Sequence, residues 1–525
     1  MAGAHNIPVW RRMGATPCST SRESAPIVVV GGGPVGLTAA LDLGRRGHRV
    51  IVLNRLDFIA AGSKAICFSK RSLEIFDRLG VAAALRAQGV TWNIGKVFWA
   101  DVPKPIYQFD LLPVKDQKHP AFINIQQYHV EAQLVASLNR MDNVELRWGH
   151  AVTGIDSQAS GVSLKVSAGD GDYELPADYV IACDGSRSTV RDLLGLDFKG
   201  DSFEDNFLIA DIKMQEERPA ERWFWFDPPF NRGQSALLHK QPDDVWRLDF
   251  QLGAGIDREA AVQPANVARY VRGMLGEGIA FEPVWYSVYT FRCCRMSSFV
   301  HGRVVFAGDA AHLVSPFGAR GCNGGIADAY NLGWKLDRIL KRESDVSLLD
   351  SYDQECVAGA DENIRQATRA TRFMSAKEEH RAVRDAVLEL AANYEFARPF
   401  VNSGRLSTAI DYEDSALNTA DTDVWQGGPR PGTVAIDGPW NGGWLSEKLG
   451  DRWVLLTHGW TGPLPAVVQH LDAGQLSNES PLRQRYDLSP GCAYLVRPDQ
   501  HIAGRWKSPS IDCVNQALAR ATGGR

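Results

Sequence analysis

No uninterrupted apolar run in this 525-residue chain approaches the roughly 18 residues that a membrane-spanning helix needs, so no membrane is expected as a partner. Neither charge sign is in excess: 57 Lys and Arg stand against 62 Asp and Glu, a formal net charge of −5. That balance offers no basic field for nucleic acid. The nine cysteines are odd in number and contain no C-x-x-C pair. The pattern fits reduced thiols in a cytoplasmic protein better than a disulfide framework or a zinc site, and no metal is expected. Residues 1–24 lack the apolar centre of a secretory signal and read as a disordered tail. With 44% hydrophobic and 23% charged residues, the chain is neither mostly disordered nor a coiled coil. Its length sets a prior of three or four domains.

The ordered part opens on Ile27-Val28-Val29-Val30, an apolar run suited to a buried parallel strand. Gly31, Gly33 and Gly36 follow as G-x-G-x-x-G, and Leu37, Ala40, Leu41 and Gly44 recur at helical spacing. Gly47 ends that helix, and Val50 to Leu53 forms a second strand. A lone G-x-G-x-x-G is a weak signal. Placed between a strand and a helix it predicts a dinucleotide site: the first Gly makes the turn, the second admits a pyrophosphate, and the third lets helix and strand pack. The helix N-terminus then offers free N–H groups to the phosphates. The acidic ribose partner expected after the second strand is missing; Asn54 stands there, followed by Arg55. Asn can still bond a hydroxyl, without charge assistance. A second fingerprint is absent, which separates the chain from flavoenzymes of the disulfide-reductase type.

Further along, residues 73–88 predict one helix, and 143–149, 162–166 and 177–182 predict strands, the last ending at Cys183-Asp184-Gly185. From about 200 to 300, aromatic and polar residues alternate as in a sheet that packs on a partner layer or lines an aromatic pocket. Another buried strand, Val304 to Ala307, leads into Gly308-Asp309, a Gly-rich loop and a long helix. The stretch from Gln426 to Gly438 is rich in Gly and Pro and reads as linker.

Three segments together carry a resemblance. They are Gly31-Gly32-Gly33-Pro34-Val35-Gly36, Cys183-Asp184-Gly185-Ser186-Arg187-Ser188, and Gly308-Asp309-Ala310-Ala311-His312 continuing through Pro316-Phe317-Gly318-Ala319-Arg320-Gly321-Cys322-Asn323. In this order they resemble the single-component flavin aromatic hydroxylases, whose type member is p-hydroxybenzoate hydroxylase. The resemblance implies FAD as cofactor, NADH or NADPH as electron donor, and hydroxylation of a phenolic or related aromatic substrate by O2 through a flavin C4a-hydroperoxide. It implies that Asp309 meets the ribityl hydroxyls and that the backbone of Gly321, Cys322 and Asn323 faces the pyrimidine edge of the isoalloxazine. Asp184 and Gln127 are implied as further cofactor contacts, and Lys64 stands where relatives often carry Arg at the pyrophosphate, keeping the charge without the bidentate fork. Pro316 is implied at the substrate side of the flavin, and Arg247 as a link between domains that helps flavin movement. His239 falls where relatives place a substrate contact and is the first candidate to polarise a phenol, because a histidine ordinarily titrates near neutrality. Trp225 and Phe226 are candidates for the pocket wall.

The expected fold class is α/β: a Rossmann-type FAD-binding domain interleaved with a β-sheet substrate domain, plus a C-terminal thioredoxin-like domain similar to that of the larger phenol and 3-(3-hydroxyphenyl)propionate hydroxylases. The expected boundaries are 25–200 with 295–395 for FAD binding, 201–294 for the substrate sheet with 90–125 contributing, 396–430 as linker, and 431–525 for the last domain. The expected assembly is a homodimer. Two alternatives stay open: a flavoenzyme of the same fold with other chemistry (epoxidase, halogenase or dehydrogenase), and a degenerate flavin-fold binding protein. Trp223-Phe224-Trp225 has the W-x-W start of a halogenase segment but not the rest.

Overall fold

The computed structural model describes residues 10–11, 25–59, 64–111, 114–215, 218–376, 378–401 and 407–523. The expected tail lies outside these residues except for Trp10–Arg11, which pairs antiparallel with Phe58–Ile59.

The first sheet is built around Ala25–Val30, whose β-branched residues are closed off on both faces. It runs parallel to Val50–Asn54 on one side and to the end of Gly171–Ala182 on the other. Val144–Trp148 and Val304–Phe306 extend the parallel core. The long Gly171–Ala182 strand changes role along its length: its first half pairs antiparallel with Gly161–Ala168, which pairs with Ala151–Gln158. Helix Pro34–Arg45 starts with Pro in its first turn, where a missing N–H costs nothing. It packs against Gly321–Leu340 where Gly333 meets Asp42; a Cβ on Gly333 would stand 1.8 Å from the Asp42 carboxylate. The single helix expected over 73–88 is two, Lys70–Arg78 and Ala82–Gln88. Gly80, at φ +80°, turns the chain between them.

The second sheet has eight strands in the order His312–Leu313, Glu282–Arg295, Lys199–Lys213, Val245–Gly253, Ser235–Lys240, Arg222–Phe226, Ile94–Trp99, Tyr107–Asp110. Strict alternation divides its side chains. One face carries Leu208, Ala210, Trp246, Leu248 and Phe250 and is covered by helix Pro264–Leu275 through Val267 and Val271. The opposite face carries Phe207, Phe224, Phe226 and Phe291, of which Phe207 and Phe291 pack on Phe317 of the loop before Gly321.

The C-terminal unit is a four-stranded sheet in the order Val468–Asp472, Trp453–Thr457, Ala493–Val496, Ile502–Trp506, with one parallel and two antiparallel pairings and helix Ile511–Ala521 against it. This is the thioredoxin-like order. The connection from Trp453–Thr457 to Val468–Asp472 contains no helix. Within the stretches read as linker, Tyr412 and Leu417 are buried, and the backbone bonds to the closing hairpin through Thr419–Ala503, Gly432–Ile502 and Ala435–Gln500. A buried ion cluster clamps this unit to the first: the Arg497 guanidinium bonds both Glu355 and Asp499, and Lys335 bonds Glu355 at 2.7 Å.

Candidate functional site: a flavin cleft joined to the second sheet

The fingerprint glycines differ in what a side chain would meet. A Cβ on Gly31 would lie 2.3 Å from the Cys183 carbonyl, and one on Gly36 would lie 2.0 Å from the Gly31 carbonyl. Both are required by the fold itself. Gly33 caps the helix, and among the described residues nothing lies within 4 Å of its Cβ position. Only a ligand approaching this backbone would need the space that Gly33 leaves open. Asn54 turns inward: its side-chain oxygen accepts from the Gly32 N–H at 3.1 Å and its amide donates to Leu56. It thereby braces the loop, while Arg55 is exposed beside it.

Gly308 sits at φ +62°, and its N–H donates to Asp328. Asp328 also takes the buried His312 ring at 2.6 Å. Burial opposes charge on that ring, yet Asp328 outweighs it and His312 stands above its ordinary pKa. Asp309 is exposed to solvent although protein crowds it, as on the floor of a deep cleft. That crowding raises its pKa, with Lys64 and His312 pulling the other way. The Asp309 carboxylate lies 3.8 Å from the Cβ position of Gly321, the first residue of helix Gly321–Leu340. Cys322 borders the same cleft; burial raises its thiol pKa, with Asp309 and Glu131 adding to the effect. Asp184 accepts from the Val190 N–H at 3.1 Å, and among the described residues its second oxygen is buried with no partner within hydrogen-bond distance. An open Gly33, an orphaned Asp184 oxygen and a carboxylate beside a helix N-terminus fit a dinucleotide that brings hydroxyls and phosphates.

Residues 64–69 bring the remaining candidates together. The Lys64 carbonyl accepts from Arg247 at 3.3 Å, and the Ala65 N–H donates to Gln127 at 3.1 Å. The Cys67 carbonyl accepts from the Asn323 amide, whose oxygen in turn takes the Ser69 N–H and the Ser72 hydroxyl. The Cys67 thiol reaches Asn124, and Arg222 donates to it at 3.3 Å. Gln127 also donates to Glu131, a buried carboxylate whose pKa burial raises to about 7. The Pro316 carbonyl accepts the Ala319 N–H within its own turn.

On the second sheet, a row of directly opposed residues crosses four strands: Arg222, His239, Arg247 and Asp211. Arg247 grips Asp211 through two bonds of 2.7 and 2.8 Å. His239 bonds Asp249 at 3.2 Å and faces Cys67 with its other nitrogen. Burial, reinforced by Arg222, lowers the His239 pKa to about 4. The near-neutral titration expected of this residue is therefore lost, and the ring is a neutral hydrogen-bond partner. Trp225 and Phe226 cannot line one pocket together, because the pleat sends them to opposite faces. Phe226 shares the face that meets Phe317, whereas Trp225 stacks on Phe98 and meets Phe230 edge to face.

Sequence reasoning missed Arg222, Asn124, Asp211 and Glu131. For Arg222 a signal existed: a cation in the same alternating phase as Phe224 and Phe226. Residues 24–367 match the family model described as FAD binding domain. The chain belongs to this FAD-binding family. It is 29% identical over 404 residues, 76% of this chain and 70% of the relative, to the 3-(3-hydroxy-phenyl)propionate/3-hydroxycinnamic acid hydroxylase of Mycolicibacterium smegmatis. It is 33% identical over 338 residues, 63% of this chain and 66% of the relative, to the 12-dehydrotetracycline 5-monooxygenase/anhydrotetracycline 6-monooxygenase of Streptomyces rimosus. The flavin-dependent monooxygenase PieE, solved with FAD and substrate, superposes with a TM-score of 0.80 at 21% identity, covering 96% of this chain and all of that one. The chain is an FAD-dependent aromatic monooxygenase, in a family whose typical electron donor is NAD(P)H, and it has the expected α/β fold class. Among the described residues no helix is long and apolar enough to cross a membrane.

Proposed function

We propose that this monooxygenase hydroxylates a phenolic ring held between the Gly321–Leu340 helix N-terminus and the Arg222–His239–Arg247 face of the second sheet. The observation that carries this reading is the 64–69 segment, which bonds Asn323 on the flavin side and Arg247 and Arg222 on the sheet side. Gly33 would admit the pyrophosphate in the turn that Gly31 and Gly36 make possible, with Lys64 supplying charge. Asp309 would hold ribityl hydroxyls, the Gly321, Cys322 and Asn323 N–H groups the pyrimidine edge, and Asp184 and Gln127 further contacts. When bound, FAD supplies reduction by nicotinamide and activation of O2. The chain's own residues would orient the ring, exclude water through Phe207, Phe226, Phe291 and Phe317, and hold the phenol oxygen near neutral His239. The relatives named for hydroxyphenylpropionate and anhydrotetracycline support a phenol-bearing substrate.

The test is aerobic oxidation of NADH and NADPH by purified protein with 3-(3-hydroxyphenyl)propionate, hydroxybenzoates, aminophenols and chlorophenols, with peroxide measured in parallel. A phenol that accelerates oxidation with little peroxide is the expected result. Stoichiometric peroxide with every phenol would overturn the hydroxylation of this class. We further place the protein in the cytoplasm, supported by its free cysteines, and as a homodimer, supported by exposed Leu390, Tyr394, Phe396 and Phe400 on neighbouring turns. Sedimentation velocity checks the dimer.

A further inference from the structure

The turn that closes the C-terminal hairpin holds Gln500 in the left-handed region, at φ +69°. The Gln500 N–H donates to the Arg497 carbonyl, and the Arg497 N–H donates to that of His501. Gln500 therefore ends a hairpin turn at the position where glycine is the ordinary occupant. A residue with a Cβ is strained there. Gln500 is also buried, with only 3% of it exposed. A long amide kept inside the protein on a strained backbone points to the contact its side chain makes.

That contact is Arg71. The Gln500 side-chain oxygen accepts from one arm of the Arg71 guanidinium, and the Asp499 carbonyl accepts from the other at 2.6 Å. Arg71 lies in the first turn of helix Lys70–Arg78, which is flanked by Ser69 and contains Ser72. Those two serines hold Asn323: its side-chain oxygen accepts from the Ser69 N–H at 2.9 Å and from the Ser72 hydroxyl at 2.6 Å. Asn323 belongs to the first turn of helix Gly321–Leu340, and its amide donates to the Cys67 and Ala319 carbonyls at 2.9 and 2.6 Å. One helical turn is thus gripped from two sides, by Asn323 and by the closing hairpin. Asp499 joins the same junction from below: its carboxylate accepts from Trp334 of helix Gly321–Leu340 at 3.0 Å. A single turn of the C-terminal unit therefore holds both helices whose N-termini meet at Asn323. The ion pairs of Glu355 with Arg497 and Lys335 meet helix Gly321–Leu340 further along and form a separate set of contacts.

We propose that Gln500 is a positioning residue for the flavin: through Arg71 it fixes the first turn of helix Lys70–Arg78 and Asn323, and so sets the direction of the Gly321, Cys322 and Asn323 N–H groups. The inference rests on the placement of the pyrimidine edge at those groups and goes beyond it by giving the C-terminal unit a part in flavin binding. N–H groups at a helix end stabilise negative charge only where the helix end is held toward it.

The test compares Q500G, R71K and the double variant with wild-type holoenzyme. Glycine is at ease at φ +69°, so Q500G is expected to unfold at the urea concentration of wild type or above it. Amide hydrogen exchange over residues 319–326 is nonetheless expected to quicken by about fivefold or more, and FAD release, followed by flavin fluorescence, by about the same factor. The flavin reduction potential should fall, because misdirected N–H groups stabilise the reduced ring less. R71K keeps a charge beside Glu74 but loses the fork, and is expected to show the same changes. The double variant should match R71K, since both substitutions break one contact. Exchange and FAD release unchanged in Q500G, or effects that add in the double variant, overturn the proposal. A lower urea midpoint for Q500G with exchange quickened throughout the chain marks a merely structural turn and also overturns it. The place of the flavin is read separately, in wild type. Anaerobic reduction is expected to slow exchange at residues 321–323, because charge on the acceptor strengthens those bonds. No slowing there removes the placement of the pyrimidine edge alone, whereas unchanged exchange in Q500G removes the Gln500 assignment alone.

Discussion

The two large sheets use opposite means of building a site. Around the parallel sheet the candidate site is built from backbone: Gly31 and Gly36 let the chain pass close to itself, Gly33 leaves open space, and the helix ends supply N–H groups. On the eight-stranded sheet it is built from side chains, aligned by register into the Arg222–His239–Arg247–Asp211 row. A backbone site leaves a local trace, since its glycines fall within one turn. A cross-strand row leaves none, because its members come from strands that meet only after folding. The difference also predicts how each site fails.

The largest effect is expected from Gly36→Val, whose side chain would begin 2.0 Å from the Gly31 carbonyl. The variant should purify without flavin and with disrupted structure, read by circular dichroism. Gly33→Ala sharpens the contrast: its Cβ meets nothing, so thermal unfolding should move by about 1 kcal/mol or less, while FAD affinity falls by about 100-fold in flavin titration. An unaltered affinity would place the pyrophosphate elsewhere.

Next is the clamp between the first sheet and the C-terminal unit. Arg497→Met leaves Glu355 and Asp499 buried, with Lys335 as the remaining cation on Glu355. Breaking such a pair costs about 3–5 kcal/mol, measurable as a lower urea midpoint. Flavin affinity should change far less, since the cluster lies outside the fingerprint loop.

Within the second sheet, Phe226→Ala and Trp225→Ala separate the two faces. Both remove packed rings and should destabilise by about 3 kcal/mol or more. Only Phe226→Ala, on the face that meets Phe317, is expected to raise KM for the aromatic substrate. Equal KM effects would break the assignment of faces.

The effect confined to the narrowest range of conditions is a pH dependence. Glu131 titrates at about 7 in the fold because burial disfavours its charge, against roughly 4.3 in an unfolded chain. Between those values the folded state holds the extra proton, so stability falls as pH rises from about 4.3 to 7 and is level above. That window is worth about 4 kcal/mol at most. Glu131→Gln should flatten the fall while leaving stability below pH 4 nearly unchanged, read from urea midpoints across pH.

Much of the first region was legible. Period-free apolar strands, a glycine triplet and the Gly308-Asp309 turn are local features, and local features survive in one dimension. The helix over 73–88 was misjudged because apolar spacing continues through Gly80, whose positive φ breaks the axis. The second region was legible as a sheet but not as a site. Alternation announces two faces without saying which one meets the cofactor loop, so Trp225 and Phe226 could not be told apart. His239 was found by position, but its pKa of about 4 comes from burial and from Arg222, which lies 17 residues before it in the chain.

The sequence by itself determined the nucleotide fingerprint, the class of fold and the kind of chemistry, because a turn that must admit a phosphate constrains residues one to five places apart. Only the tertiary structure decided where charge resides on the substrate face. Cys67 and Arg222 are 155 residues apart and Cys67 and Asn323 are 256 apart. Whether a buried cation is neutralised or left open depends on which strands lie side by side, and that is settled by the register of the sheet.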